Sequence, residues 1–145
     1  MIIRRANEYE ISHLYQWSLS LTEELSAGYM KTNDHITYEM VSKVLSNGGY
    51  YLIAQHNWEV MGWILLGYDQ NFYQNKPVGF LYELYVFPPY RKNGVGKILM
   101  KEAMVQLKKA GMKSVQLNVF AGNSAKRLYE KLGFKDVTTL MEREL

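Results

Sequence analysis

Two glycines, Gly94 and Gly96, stand in the run LYVFPPYRKNGVGKILM, among Arg91, Lys92 and Lys97 and directly before an apolar-periodic stretch. Glycine has no Cβ, so its backbone can bring N–H groups close to a bulky anion, and a helix that starts there adds the positive end of its dipole. The chemistry this spacing suits is the cradling of phosphate. Two other phosphate loops do not match. A P-loop needs GxxxxGK followed by Ser or Thr, whereas Ile98 follows Gly96-Lys97 and the earlier glycine is missing. A dinucleotide fingerprint needs a third glycine where Leu99 stands, and a repeating βαβ array. A GxG loop that simply starts a helix remains a second reading of these residues alone.

Charge is divided along the chain in the same sense. Residues 91–135 carry eleven Lys and Arg against two Glu, a net of +9, so within a total of +3 the remainder carries −6. One segment suits an anion and the rest suits a cation. The 145 residues contain no cysteine, which excludes disulfides, thiolate metal sites and a cysteine nucleophile. His13, His35 and His56 are far apart and show no ligand spacing, so no metal is expected.

The elements that must position these groups can be read from periodicity. MIIRR reads as an opening strand, and Asn7 with Glu10 three residues later resembles a capping box for a helix from about 8 to 27. Asp34 or Thr37 can cap a second helix carrying Tyr38, Val41, Val44 and Leu45. YYLIAQH and VMGWILLGY read as strands joined by a turn at Asn57-Trp58, and 69–76 as a polar loop. VGFLYELYVF is a central strand stopped by Pro88 and Pro89, because proline donates nothing to a ladder. A long amphipathic helix follows the glycine loop and ends at Gly111. SVQLNVF reads as a strand, SAKRLYEKL as a helix between Asn123 and Gly133, and FKDVTTLMEREL as a final strand. The order β-α-α-β-β-β-α-β-α-β describes one mixed α/β domain over residues 1–145. The longest apolar stretch, 60–68, is far short of the roughly 20 residues of a membrane span, and the N-terminus lacks a signal-peptide hydrophobic segment. The expectation is a cytoplasmic protein without a membrane partner.

The run from Val86 to Gly96, V-x-P-x-x-R-x-x-G-x-G, resembles the acyl-CoA pyrophosphate loop of the GNAT superfamily of N-acetyltransferases. Downstream, NVFAGNSAKRLYEKLGF is similar to that family's closing segment N-x-x-A-x-x-L-Y-E-x-L-G-F. The two stand at the family's spacing, and the resemblance is weakest before about residue 50. It implies an α+β fold with a mixed central sheet of six to seven strands and about four helices. It implies acetyl-CoA as co-substrate and transfer of acetyl to a primary amine by direct attack, without a covalent enzyme intermediate. The pantetheine arm would lie between the central strand and SVQLNVF, which part at a bulge, with Leu84, Tyr85 and Val86 as main-chain contacts. Arg91, Lys92, Asn93, Gly94, Val95, Gly96 and Lys97 would wrap the pyrophosphate, and Asn123 and Lys126 would flank the arm and the nucleotide end.

Tyr129 matches the family's tyrosine near the sulfur, where its hydroxyl could return a proton to the leaving thiolate. The base stays open. Glu83 is the one carboxylate of the central strand, but a bulge makes its direction unreadable from alternation. Tyr82 stands where some relatives carry a glutamate, and Asn118 replaces a glutamate used by some protein-acetylating relatives. The amine, on a small molecule or on a protein, would bind among the first two helices, residues 26–36 and the 69–76 loop, where Trp17, Tyr29, Tyr38, Tyr68 and Tyr73 could line a pocket. Two alternatives stay open: a catalytically silent acetyl-CoA sensor, and a nucleic-acid-binding module built on the +9 segment. No nucleic-acid recognition motif is present, so nucleic acid is not the expected partner. A homodimer is left open.

Overall fold

The structure, a computed structural model, describes residues 1–31 and 34–145, with residue 34 described by its backbone alone. Five strands form one sheet in sequence order: β1 (Ile2–Arg5), β2 (Tyr50–His56), β3 (Glu59–Gln70), β4 (Pro77–Val86) and β5 (Val115–Leu117). The first four are antiparallel neighbours and β5 joins β4 in parallel. The helices are α1 (Glu8–Ser20), α2 (Thr22–Leu25), α3 (Asp34–Ser46), α4 (Val95–Lys109) and α5 (Lys126–Lys131). β3 reads EVMGWILLGYDQ, apolar on successive positions, and is buried on both faces because helices cover both. One core holds Leu52, Ile64, Leu66, Leu99, Met100, Leu107 and Tyr129, between the sheet and α4 with α5. The opposite core holds Leu14, Val41, Val44, Tyr51, Trp63, Leu65 and Tyr85, between the sheet and α1 with α3.

Several expectations need correction. The described sheet has five strands, not six or seven, and the described residues form five α-helices where about four were expected. The expected final strand is absent: residues 134–145 form no ladder, and Leu140 and Met141 are 98% and 86% exposed. The adjacent pair Leu140-Met141 breaks the period of two, so the run cannot turn one apolar side inward along its length. SVQLNVF contributes three ladder residues, because β4 bends away beyond them. The long first helix divides at Leu21. There the Thr22 hydroxyl donates back to the Ser18 carbonyl at 3.0 Å, the side-chain-to-backbone bond that bends helices. Thr37 lies within α3 and is not its cap, and the side chain of Asp34, the other capping candidate, lies outside the described residues.

The Asn7 capping box is present, with its side chain accepting from the Glu10 N–H at 2.9 Å and the Glu10 carboxylate accepting from the Asn7 N–H at 3.0 Å. β2 and β3 are joined at Asn57-Trp58, with Asn57 in the left-handed region at φ 55°. Pro88–Tyr90 form a 3-10 turn directly after β4. No helix among the described residues is long and apolar enough to cross a membrane.

Candidate functional site

The site begins with one extra residue in β4. Glu83 pairs with Leu65 and Leu81 with Leu66, so Tyr82 has no counterpart on β3. This is a bulge, and it breaks the alternation of side chains. Leu81 and Leu84 pack in the core under α4, whereas Tyr82 and Glu83, although consecutive, both turn to the face covered by α1 and α3. The same bend ends the β4–β5 ladder at the Leu81–Leu117 pair. Beyond it the strands part, and Leu84, Tyr85 and Val86 lie on an edge with no β5 partner.

A cleft of about 180 Å³ opens where the strands separate. From the α4 and α5 side it is lined by Leu81, Leu84, Met100, Leu117 and Tyr129, with Asn118 to Phe120 and Asn123 beside them. From the α1 and α3 side come Ser18, Thr22, Leu25, Ser26, Met30, Thr37, Met40, Tyr82 and Glu83. Glu83 and Tyr129 therefore reach one cleft from opposite faces of the sheet.

Glu83 is held tightly. Its Oε1 accepts from the Ser18 hydroxyl at 2.6 Å and from the Trp63 indole N–H at 2.6 Å. Oε2 has no hydrogen-bond partner among the described residues and is not sealed from solvent. Burial raises the carboxyl above the ordinary glutamate range, and the bonds from Ser18 and Trp63 pull the other way without overcoming it. A carboxyl so raised, with one oxygen directed by two donors and the other free, has the form of a general base. The Tyr51 hydroxyl, sealed on the same face without a hydrogen bond of good geometry among the described residues, is kept protonated by burial and by the nearby Glu83 charge, which outweigh the opposite pull of the Ser18 hydroxyl.

Tyr129 is 9% exposed and packs edge-on to Phe134. Burial raises its pKa, so the phenol keeps its proton, and its hydroxyl makes no hydrogen bond to the described residues. A protonated, uncommitted phenol facing a cleft can donate. Tyr82 differs: burial, then Asp69, pushes it up to about 12, and its hydroxyl points back to the Tyr68 carbonyl at 3.4 Å.

The glycine loop adjoins the parted edge. Lys92 and Gly94 take left-handed φ of 65° and 81°, and Gly94 caps α4 without any side-chain hydrogen bond to the first turn. The opening N–H groups of a helix lack intrahelical partners. Here no side chain of the cap covers them. Gly96 lies against Leu84, Val86 and Leu128, whose atoms would meet an added Cβ at 3.5–3.8 Å. Lys92, Asn93 and Lys97 are exposed and Val95 is buried. Arg91 donates to the Val86 carbonyl at 2.7 Å, pairs with Glu24 at 2.9 Å and lies 5.2 Å over the Tyr85 ring. The Asn123 side chain accepts from the Ala125 N–H at 2.9 Å and turns the chain into α5. Lys126 reaches Asp136 at 3.2 Å.

Of the residues singled out from the sequence, Tyr82, Glu83, Leu84, Asn118, Asn123 and Tyr129 line the cleft. Tyr85, Val86 and residues 91–97 form the adjoining edge and loop, and Lys126 stands outside. The expected acceptor aromatics do not line it. Trp17 stacks on Trp63 at 5.6 Å in the core, Tyr38 and Tyr73 are exposed, and Tyr68 packs under the sheet. Tyr29 touches the cleft indirectly, stacked on Phe120 at 5.1 Å. Sequence reasoning missed Ser18, Thr22 and Ser26. Their spacing of four along one helical face was a signal, since it places three small hydroxyl residues on one line. Among the described residues, no group of three or more His, Asp or Glu is arranged to hold a metal ion.

Comparison with known proteins adds a family. The sequence model of the Acetyltransferase (GNAT) family matches residues 10–134, most of the chain and all of the cleft. The chain belongs to that family. A curated relative of the GNAT chain is the [Ribosomal protein bS18]-alanine N-acetyltransferase of Haemophilus influenzae, 40% identical over 57 residues. That match spans 39% of this chain and 39% of the relative's own length. Among solved structures, a putative acetyl transferase from Pyrococcus furiosus superposes with a TM-score of 0.84 at 20% identity, covering 99% of both chains. The structure of AAC(6')-Iy in complex with the bisubstrate analog CoA-S-monomethyl-acetylneamine superposes with a TM-score of 0.74 at 19% identity, covering 99% of this chain and 97% of that one. At these identities the superpositions establish the shared fold.

Proposed function

We propose that the protein transfers acetyl from acetyl-CoA to a primary amine by direct attack. The observation that carries the reading is the single cleft through the parted sheet, reached by Glu83 from one face and Tyr129 from the other. Residues of this chain fit the co-substrate. The edge of Leu84 to Val86 offers backbone groups to an extended arm as a missing strand would, although the Val86 carbonyl already accepts from Arg91. The uncapped first turn of α4, with Lys92 and Lys97 beside it, suits a pyrophosphate. Asn118 and Asn123 flank the arm.

An alkylamine with a pKa of about 10 arrives mostly protonated and must lose a proton before it attacks. Glu83 Oε2 takes that proton, directly or through one water. The nitrogen then bonds to the thioester carbonyl carbon and, as the C–S bond breaks and the thiolate leaves, gives up its second proton to solvent. Tyr129 hands its phenolic proton to the sulfur and recovers one from solvent. Calorimetry should detect acetyl-CoA binding at micromolar or tighter affinity, and release of free coenzyme A should depend on an added amine. Gly94→Asp, which forces a side chain into left-handed backbone and sets a negative charge at the anion site, should abolish binding. Native protein that does not bind acetyl-CoA would refute the proposal.

A further inference from the structure

Four of the five buried polar residues among those described, Ser18, Thr22, Ser26 and Thr37, form one wall of the cleft. Every hydroxyl proton on that wall has a destination within the protein. Ser18 donates to Glu83 at 2.6 Å. Thr22 donates to the carbonyl oxygens of Ser18 and Leu19, at 3.0 and 3.1 Å. Ser26 donates to the Glu23 carbonyl at 3.2 Å and accepts from the Met30 N–H at 2.8 Å. With the Thr22 proton committed, Thr37, 3.4 Å away, is the donor of that pair. A hydroxyl carries one proton and two lone pairs, so what this wall has left to offer is acceptors. It welcomes N–H donors.

The wall's charge is sparse. Glu83 is the one carboxylate among the described lining residues, and the rest of the surface on that side is Leu25, Met30, Met40 and the ring of Tyr82. The acids next along the chain are already paired, Glu23 with Lys31 at 2.8 Å and Glu24 with Arg91 at 2.9 Å. A single ammonium can meet Glu83 and the hydroxyl oxygens. A second one, taken from water into the same cleft, would face methionine, leucine and the Tyr82 ring with no second carboxylate among the described residues, which is unfavourable.

From this wall, and resting on the acetyl-transfer reading above, we infer that the acceptor's reacting nitrogen is its only cationic centre, carried on an apolar or hydroxylated body. Polyamines and aminosugars are then poor substrates. Apart from Glu83, none of the described acids outside residues 91–135 lines the cleft, so that acidic balance gives no support to a polycation there.

The test is a panel of acceptors with native protein and saturating acetyl-CoA, following free coenzyme A: 2-phenylethylamine, n-heptylamine and alaninamide against 1,4-diaminobutane, spermidine and neamine. The best singly charged amine should exceed every polycation at least tenfold in kcat/KM. A polycation equal to or better than the monoamines overturns the inference while leaving acetyl transfer standing. No release with any amine, with acetyl-CoA binding intact, overturns the transfer reading and this inference with it. Met40→Glu, which adds a second carboxylate to the α3 wall, should shift the ratio toward 1,4-diaminobutane at least fivefold, and Thr37→Asp serves the same purpose if that variant does not fold. An unshifted ratio in a folded variant overturns the inference.

Discussion

Removing the Ser18 hydroxyl tests the proposed base through the bond that tunes it. In Ser18→Ala, Glu83 loses a 2.6 Å charge-assisted hydrogen bond but keeps the one from Trp63. Hydrogen bonds to a charged group are worth about 1.5–3 kcal/mol. Because the lost bond favours the ionised carboxylate, its removal adds to burial and raises the pKa further. At roughly 1.4 kcal/mol per factor of ten, the ionised fraction on the acid side of the pH profile should fall about tenfold. kcat/KM for the amine should fall by the same factor there and return toward the native value on the alkaline plateau. The acid limb thus moves to higher pH. Titration of the amine itself shapes the same limb, so the quantity to compare is the difference between native and variant. Thiol release measured across pH gives both profiles, and Ser18→Thr should restore the native one. A drop that is uniform at all pH values, or an unmoved limb, would refute the assignment of Glu83 Oε2 as proton acceptor.

Other outcomes follow from the same geometry. Glu83→Gln should reduce turnover by about 100-fold or more, the usual weight of a general base, while acetyl-CoA affinity stays close to native. It should also alter the dependence of stability on pH. A carboxyl raised above its ordinary 4.5 in the folded state gives a contribution that is complete below 4.5 and lost as pH rises through the raised value, so native Tm should decline over that window and the variant's decline should be shallower. Tyr129→Phe removes a hydroxyl with no hydrogen bond among the described residues, so thermal stability should change little while kcat falls about tenfold or more with acetyl-CoA affinity retained. If kcat is unchanged in that variant, the thiolate receives its proton from another source.

The parts of the site legible in the sequence are those governed by local rules. Pro88 and Pro89 end β4, Gly94 marks a left-handed position before an apolar-periodic helix, and Gly133, at φ 95°, closes α5. What stayed hidden depends on register and distance. Alternation assigns Tyr82 and Glu83 to opposite faces, and nothing local shows that one extra residue in β4 sends both to the same face; the mismatch is set by pairing with β3, more than ten residues earlier. Aromatic residues usually mark a pocket, whereas here Trp17 and Trp63 serve the core and the small hydroxyl residues leave the space. In FKDVTTLMEREL, β-forming residues favour a final strand but do not supply it with a partner. With β5 limited to three residues, little edge is available to template it.

The central claim is that the sheet parts at the Tyr82 bulge to admit the coenzyme, and amide hydrogen exchange with and without acetyl-CoA tests it most directly. At a ligand concentration about 100 times Kd, groups covered only in the complex should gain about 2.7 kcal/mol of protection, a slowing of roughly 100-fold. That slowing should appear at residues 84–86, at 94–97 and at 118–123. Protection confined to the opposite end of α4, around residues 104–115, or to the α1 surface, would contradict it.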